Sequence, residues 1–247
     1  MKIGLIGAGN MARALALGWG EPVLCTDPVA GRAQQLAAET GGSAVDGARA
    51  VAAEADVVFI CHKPAQLEAV AAELDGAARL VVSILGGVSH ATVAAAYPSS
   101  EVYRVMPSTP VELRQGVVVL AQSGDGPNRK QVAALLARLG TLIELPESQI
   151  DAAMNLMSCG PAYMALVAEA QIDAGVRRGL PVDAAAEMVT ATMAGTAALL
   201  AARGGDTLAL RRAVASPGGL TARGLAALER GGIRAAFDDA IDSVLDR

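Results

Sequence analysis

Ile3-Gly4-Leu5-Ile6-Gly7-Ala8-Gly9-Asn10-Met11-Ala12 decides how the first half of this chain is read. A short, branched apolar run from Lys2 to Ile6 ends at a glycine, and Asn10 to Gly18 then continues with helical spacing. Between them lies a GxGxxA pattern. Gly7 permits the tight turn, Gly9 lets the backbone approach a pyrophosphate, and Ala12 is small enough for the helix to pack close to the strand. The start of the helix adds free N–H groups and a partial positive charge. The spacing alone is weak evidence, but the strand–turn–helix context gives it weight. It predicts a dinucleotide loop built from Gly7, Ala8, Gly9, Asn10 and Met11.

A second strand, Pro22 to Thr26, leads to Asp27, twenty residues after Gly7. An acid there accepts the two ribose hydroxyls of NADH and repels the 2′-phosphate of NADPH. Arg32 is close enough in sequence to grip that phosphate instead. Asp27 before Pro28 also reads as a turn former, and Arg32 as a solvated surface charge. At this level both nicotinamide cofactors stay open.

Strand-like and helix-like stretches keep alternating. Gly31 to Glu39, Leu67 to Leu74 and Arg129 to Leu139 read as helices. Val57 to Ile60, Leu80 to Leu85, Val102 to Val105, Val117 to Leu120 and Leu142 to Leu145 read as buried strands. This predicts an α/β domain with a mostly parallel sheet covered on both faces. In such sheets ligands lie beyond the carboxyl ends of the strands. Three strand ends qualify as cofactor-side walls: Cys61-His62-Lys63-Pro64, the stretch from Ser83 to Ser89, and Met106-Pro107-Ser108-Thr109-Pro110. His62 is the candidate general acid by its ordinary pKa, with a ribose or solvent contact as the alternative. Lys63 is a candidate for cofactor oxygens or for a structural ion pair.

The pattern changes near Pro146. Ala152 to Arg178, Val182 to Arg203, Thr207 to Val214 and Thr221 to Arg247 all read as helix. The division predicted is 1–147 for a dinucleotide-binding domain and 148–247 for a helical domain. The second set is rich in Ala and Leu on more than one face, which points to a subunit interface. The most apolar stretch, Met188 to Ala202, is short of the roughly 20 residues that span a bilayer, so a buried or subunit-facing helix is expected. Ser216-Pro217-Gly218-Gly219-Leu220-Thr221 is a glycine turn leading into a helix. Its N–H groups suit a substrate carboxylate, with Thr221 beside the bound anion; the plainer reading is a connecting loop.

Composition narrows the function. Of 247 residues, 53% are hydrophobic, which excludes intrinsic disorder. Twenty basic against 25 acidic residues, a net charge of −5, and 2% aromatics speak against nucleic-acid binding. Cys25, Cys61 and Cys159 form no CxxC pair, and neither HExxH nor DxDxDG occurs, so no metal site is expected. Met1 opens directly into a strand, so a cytoplasmic chain without signal peptide or membrane span is expected. The only lysines are Lys2, Lys63 and Lys130. A beta-hydroxy-acid dehydrogenase would want one in the helical half, so that class is set aside.

Taken together these residues resemble pyrroline-5-carboxylate reductases, nearly end to end. The resemblance is carried by the Gly7 to Met11 loop, Lys63-Pro64, Met106 to Pro110, Gly160-Pro161-Ala162-Tyr163, Gly179-Leu180-Pro181, the Ser216 to Thr221 turn and Leu228-Glu229. It implies a Rossmann-like domain that binds NADPH or NADH and a helical domain that forms an intertwined homodimer. In many members such dimers assemble into larger rings, often decamers. It implies reduction of 1-pyrroline-5-carboxylate to L-proline, the last step of proline biosynthesis. Ser216, Gly218, Gly219, Leu220 and Thr221 would hold the substrate, partly contributed by the neighbouring subunit, and Thr221 would donate a hydrogen bond to the ring nitrogen. The chain departs from the family pattern at His62, Ser108, Met157-Ser158-Cys159 and Leu220, and has Pro28 where an Arg is frequent. Two alternatives remain at this level: a reductase of another cyclic imine, and a non-catalytic nicotinamide-binding regulator.

Overall fold

The computed structural model describes residues 1–245. The elements run β1 (Ile3–Ile6), α1 (Asn10–Trp19), β2 (Val23–Thr26), α2 (Arg32–Thr40), β3 (Ser43–Ala44), α3 (Ala48–Glu54), β4 (Val57–Ile60), α4 (Leu67–Leu74), β5 (Leu80–Ser83), α5 (His90–Ala96), β6 (Glu101–Pro107), β7 (Gly116–Ala121), α6 (Arg129–Ala137) and β8 (Gly140–Leu145). Six helices follow among the described residues: α7 (Ile150–Met157), α8 (Gly160–Val176), α9 (Val182–Ala202), α10 (Thr207–Val214), α11 (Leu220–Arg230) and α12 (Ile233–Leu245).

The eight strands form one sheet in the order β3-β2-β1-β4-β5-β6-β7-β8. Every pairing is parallel except β6 with β7. Only Ser108 to Gln115 separates those two strands, too short for a crossover, so the chain must reverse. Ile3 is in register with both Val23 and Val57, which puts β1 between β2 and β4. Strand order reverses between β1 and β4, and that switch point opens a crevice beyond their carboxyl ends.

Both faces of the sheet are buried, which is why its strands are continuously apolar. On one face Leu5, Phe59 and Val105 pack with Leu15, Trp19 and Leu136. The Trp19 and Phe59 rings sit 4.9 Å apart between centroids, and the Trp19 indole N–H donates to the Leu135 carbonyl at 3.1 Å. On the other face Ile6, Val58 and Val81 pack with Val51, Leu74 and Val93. A third cluster joins Met106, Val119 and Ala121 to Ile150 and Met157 of α7.

Three features differ from the sequence reading. β3 and α3 are too short to show a period, and they follow the Gly41-Gly42 turn. The single helix expected from Ala152 to Arg178 is two helices, α7 and α8. The Ser158 and Cys159 N–H groups both end on the Met154 carbonyl (2.8 and 3.2 Å), and Pro161, lacking an N–H, suits the first turn of a new helix. The long helix expected from Thr221 is likewise divided, at Gly231-Gly232, where Gly232 takes φ 78°. Its last two residues, 246 and 247, lie outside the described residues.

Two compact units result, Met1–Pro161 and Ala162–Arg247. The first reaches past the division expected at 147/148 because α7 seals the sheet over Met106 and Val119. In the second, Ala185 and Leu210 are the buried apolar residues among the described residues, while Met164, Leu166, Met188 and Leu199 are exposed. Helix α9 has 21 residues, so shortness is no argument against its crossing a bilayer; by length and apolarity it is sufficient. Glu229 of α11 ties its neighbours: Arg234 of α12 donates to it twice, at 2.8 and 2.7 Å, and Arg211 of α10 lies 3.8 Å from it.

Candidate active site

Gly7 turns the chain out of β1 with φ +99°. A Cβ there would come within 2.8 Å of the Cys61 carbonyl carbon and 2.9 Å of the His62 nitrogen. Only glycine satisfies both the backbone angle and this approach. The Gly7 N–H donates to Thr26 O at 2.9 Å, and Cys61 N–H donates to Ile6 O at 2.8 Å. The three strand ends β1, β2 and β4 are therefore laced together at the loop.

Asp27 completes the lacing. Its Oδ2 accepts from the Ala8 N–H at 2.7 Å, and its Oδ1 accepts from the Val29 N–H at 2.8 Å. The turn-forming role and the ribose-facing position are thus compatible. Each oxygen keeps lone-pair capacity for a further donor. Helix α1 then begins without any side-chain cap at Gly9, its first bond being Arg13 N–H to Gly9 O at 2.9 Å. The first N–H groups of the helix have no intrahelical partner.

These residues border a cleft of about 700 Å³ that also takes in Arg32, Gln35 and Glu39 of α2 and Cys61, His62, Lys63 and Gln66. A Cβ placed on Gly9 would meet nothing within 4 Å. That open space beside uncapped helical N–H groups is the room a pyrophosphate needs, so the residues fit a dinucleotide. Arg13 is spent elsewhere, on Glu39 at 2.5 Å and Glu112 at 3.3 Å. Gln35, Glu39 and Gln66 were missed by the sequence reading. Their one available signal was helical spacing: Gln35 and Glu39 stand one turn apart after Arg32.

The geometry at His62 does not suit a general acid. Its Nδ1 lies 2.9 Å from the Lys63 carbonyl, so Nδ1 carries the proton, and Nε2 is buried without a partner. Burial lowers its pKa, against a smaller upward push from the Lys63 carbonyl. A neutral imidazole with a bare, enclosed nitrogen has no proton to give at that atom. Burial also pushes the Cys61 thiol well up, leaving it inert. The Lys63 N–H donates to Gln66 Oε1 at 3.0 Å.

Other expected residues stand behind the wall. Ser83, Met106 and Ser108 are buried. The Ser83 hydroxyl accepts from Leu85 N–H at 3.3 Å. The Ser108 hydroxyl donates to Val117 O and accepts from Val117 N–H, at 3.1 and 2.8 Å. Pro107 offers its carbonyl to the Ser158 hydroxyl at 2.9 Å. These four are not among the residues that border this cleft.

In the second unit, Ser216 to Gly219 form a tight turn. Gly219 N–H donates to Ser216 O at 3.0 Å, and Gly218 takes φ +70°. Helix α11 starts at Leu220, one residue earlier than expected, again with no side-chain cap. Its first N–H groups, including that of Thr221, are free to hold an anion.

A switch-point crevice with a phosphate cradle defines a nicotinamide-dependent oxidoreductase. Residues 2–87 match the family model for NADP oxidoreductase, coenzyme F420-dependent. Residues 147–247 match the model for pyrroline-5-carboxylate reductase dimerisation. The chain is 34% identical to pyrroline-5-carboxylate reductase of Corynebacterium melassecola, covering 99% of this chain and 96% of that protein. It is 32% identical to the Thermus thermophilus protein of that name, covering 100% and 97%. Among solved structures, the Streptococcus pyogenes 1-pyrroline-5-carboxylate reductase superposes with a TM-score of 0.88 at 27% identity, covering 100% and 97%. The Plasmodium falciparum pyrroline carboxylate reductase, solved with NADP bound, gives 0.86 at 25% identity, covering 100% and 96%. The chain belongs to the pyrroline-5-carboxylate reductase family.

Proposed function

We propose that this protein reduces 1-pyrroline-5-carboxylate to L-proline with NADPH or NADH, completing proline biosynthesis. The observation that carries this reading is the pairing, in one chain, of an open phosphate cradle at Gly9 with an uncapped glycine turn at Ser216 to Thr221. When bound, the reduced nicotinamide supplies a hydride to the imine carbon. The protein's part is to orient and to stabilise charge. Gly7 and Ala8 shape the loop in which Gly9, Asn10 and Met11 hold the pyrophosphate, with Asp27 and Arg32 at the adenosine end and Cys61, His62 and Lys63 along the β4 wall. Gly218, Gly219, Leu220 and Thr221 hold the substrate carboxylate through backbone N–H groups. The imine is bound as its iminium, its nitrogen proton having come from solvent, so hydride addition at carbon gives the neutral ring amine with no further proton, and the Thr221 hydroxyl hydrogen-bonds the ring nitrogen. An imine bound already protonated needs no strong acid, in keeping with a cleft whose one histidine is held neutral.

The division 1–147 for cofactor and 148–247 for substrate and dimerisation is the functional one. The exposed apolar surface of α8 and α9 supports a homodimer, with assembly into decamers as the larger state. This reading takes the chain as cytoplasmic, with no nucleic acid or membrane as partner. A second reading, reduction of another cyclic imine, is motivated by Leu220, which is 80% exposed at the head of α11.

The test is loss of reduced-nicotinamide absorbance with 1-pyrroline-5-carboxylate, run with each cofactor and beside a panel of other cyclic imines. Turnover on a different imine alone would replace the substrate named here. Thr221→Ala with full turnover would remove the hydroxyl's role.

A further inference from the structure

Arg104 lies on β6, three residues before Pro107, and its side chain is only 3% exposed. It reaches across to α7 and its approach, donating from Nη1 to Glu147 Oε1 at 2.8 Å and from Nη2 to Asp151 Oδ1 at 2.6 Å. Glu147 also accepts from the His90 N–H at 2.9 Å and the Ser123 hydroxyl at 2.7 Å. At the far end of the same helix, the Ser158 hydroxyl donates to Pro107 O at 2.9 Å. Strand and helix are thus fastened twice.

The two spans match. Arg104 to Pro107 advances three residues along a strand, about 10 Å. Asp151 to Ser158 advances seven along a helix, about 10.5 Å. A change of register at the first fastening would pull the second apart.

We infer that Arg104 is a positioning residue, fixing the Ser158-Cys159-Gly160 turn against the Met106-Pro107-Ser108 strand end. The inference rests on the reductase reading for its consequence in catalysis. Its energetics fit a positioning role better than a stabilising one. Arg104 Nε is buried with no partner, an uncompensated cost. Glu147 and Asp151 keep 31% and 56% of their side-chain surface, so water can solvate them without the arginine. A buried ion pair of this kind is frequently no more stable than an apolar replacement of similar size. What an apolar residue cannot supply is two directed bonds at fixed points of α7.

The test uses Arg104→Met and Ser158→Ala in the full-length chain. The first readout is amide exchange at Ser158 and Cys159 compared with Gly7 and Ala8, and the second is steady-state turnover beside NADPH and NADH dissociation constants. Exchange at Ser158 and Cys159 is expected to quicken about tenfold in Arg104→Met, with Gly7 and Ala8 unchanged. Turnover is expected to fall by up to about a hundredfold while cofactor affinity holds, since a misplaced wall costs orientation. Ser158→Ala, which removes one hydrogen bond, is expected to lower turnover about fivefold. Unchanged exchange and turnover in both variants, or cofactor affinity and turnover falling together with melting temperature, would overturn the proposal. If Arg104→Met does not fold, the Ser158→Ala exchange pattern decides it. A wild-type chain inactive on every imine would remove the reaction and leave the exchange comparison standing.

Discussion

The carboxylate of Asp27 takes the backbone N–H of Ala8 at 2.7 Å, nineteen residues away, so the acid at the end of β2 is locked to the phosphate loop. With Val29 N–H on its other oxygen at 2.8 Å, it cannot swing aside to admit a phosphate. Arg32, the cation at this edge of the cleft, is exposed on the first position of α2.

NADH is therefore expected to bind more tightly than NADPH. Hydrogen bonds from hydroxyls to a charged acceptor contribute about 1.5–3 kcal/mol, roughly tenfold to a hundredfold in affinity. Asp27→Ala should lose that much NADH affinity and move the NADH-to-NADPH ratio toward NADPH. Arg32→Ala should weaken NADPH alone. Calorimetric titration of both cofactors against the three proteins measures this, and tighter NADPH binding by the wild type would refute it.

Gly7 and Gly9 should fail differently. Gly7→Ala forces a side chain onto φ +99° and into the Cys61 carbonyl, so folding and cofactor binding should suffer together, by roughly 1–3 kcal/mol of strain at least. Gly9→Ala meets no protein atom within 4 Å and should melt like the wild type. Its methyl group occupies the space reserved for pyrophosphate, so cofactor affinity alone should drop. Thermal melting with and without NADH separates the two.

No catalytic limb from His62 is expected in the pH profile. Its folded pKa lies below the ordinary 6.5, and its proton sits on the nitrogen facing the Lys63 carbonyl. His62→Ala should keep turnover within about fivefold, the worth of one ordinary hydrogen bond. Because the unfolded chain takes up this proton first, the histidine subtracts stability as pH falls from 6.5 toward the lower folded value. A turnover profile whose limb near neutrality vanishes in His62→Ala would restore the acid role.

Glu147 should govern part of the acid unfolding. Burial pushes its pKa up, but the His90 N–H, the Ser123 hydroxyl and Arg104 outweigh this and hold it below the usual carboxylate range. A depressed carboxylate gives stability that is present above the unfolded pKa, about 4.3, and lost as pH falls through the lower folded value. Glu147→Gln should therefore melt lower than wild type at neutral pH and lose less on acidification. Parallel melting curves against pH in both proteins would show it as converging lines.

Sequence alone determined whatever depends on local spacing. The Gly7 to Ala12 pattern, the acid at Asp27, the apolar runs of β1, β4 and β5 and the turn at Ser216 to Thr221 all stand where their residue order put them. Steric rules for glycine, helix ends and two-faced strands act over a few residues and can be read in order. Tertiary structure alone decided which groups are free. Ser83 and Ser108 look like wall residues in sequence, yet their hydroxyls are spent on Leu85 and Val117. His62 looks like an acid until its proton is found facing Lys63. The link from Arg104 to Glu147 and Asp151 joins residues 43 and 47 positions apart, and the Ser158 hydroxyl at the end of α7 finds its acceptor on Pro107, 51 positions away. Hydrogen-bond partners at such separations are set by how strand and helix pack, which residue order does not encode locally.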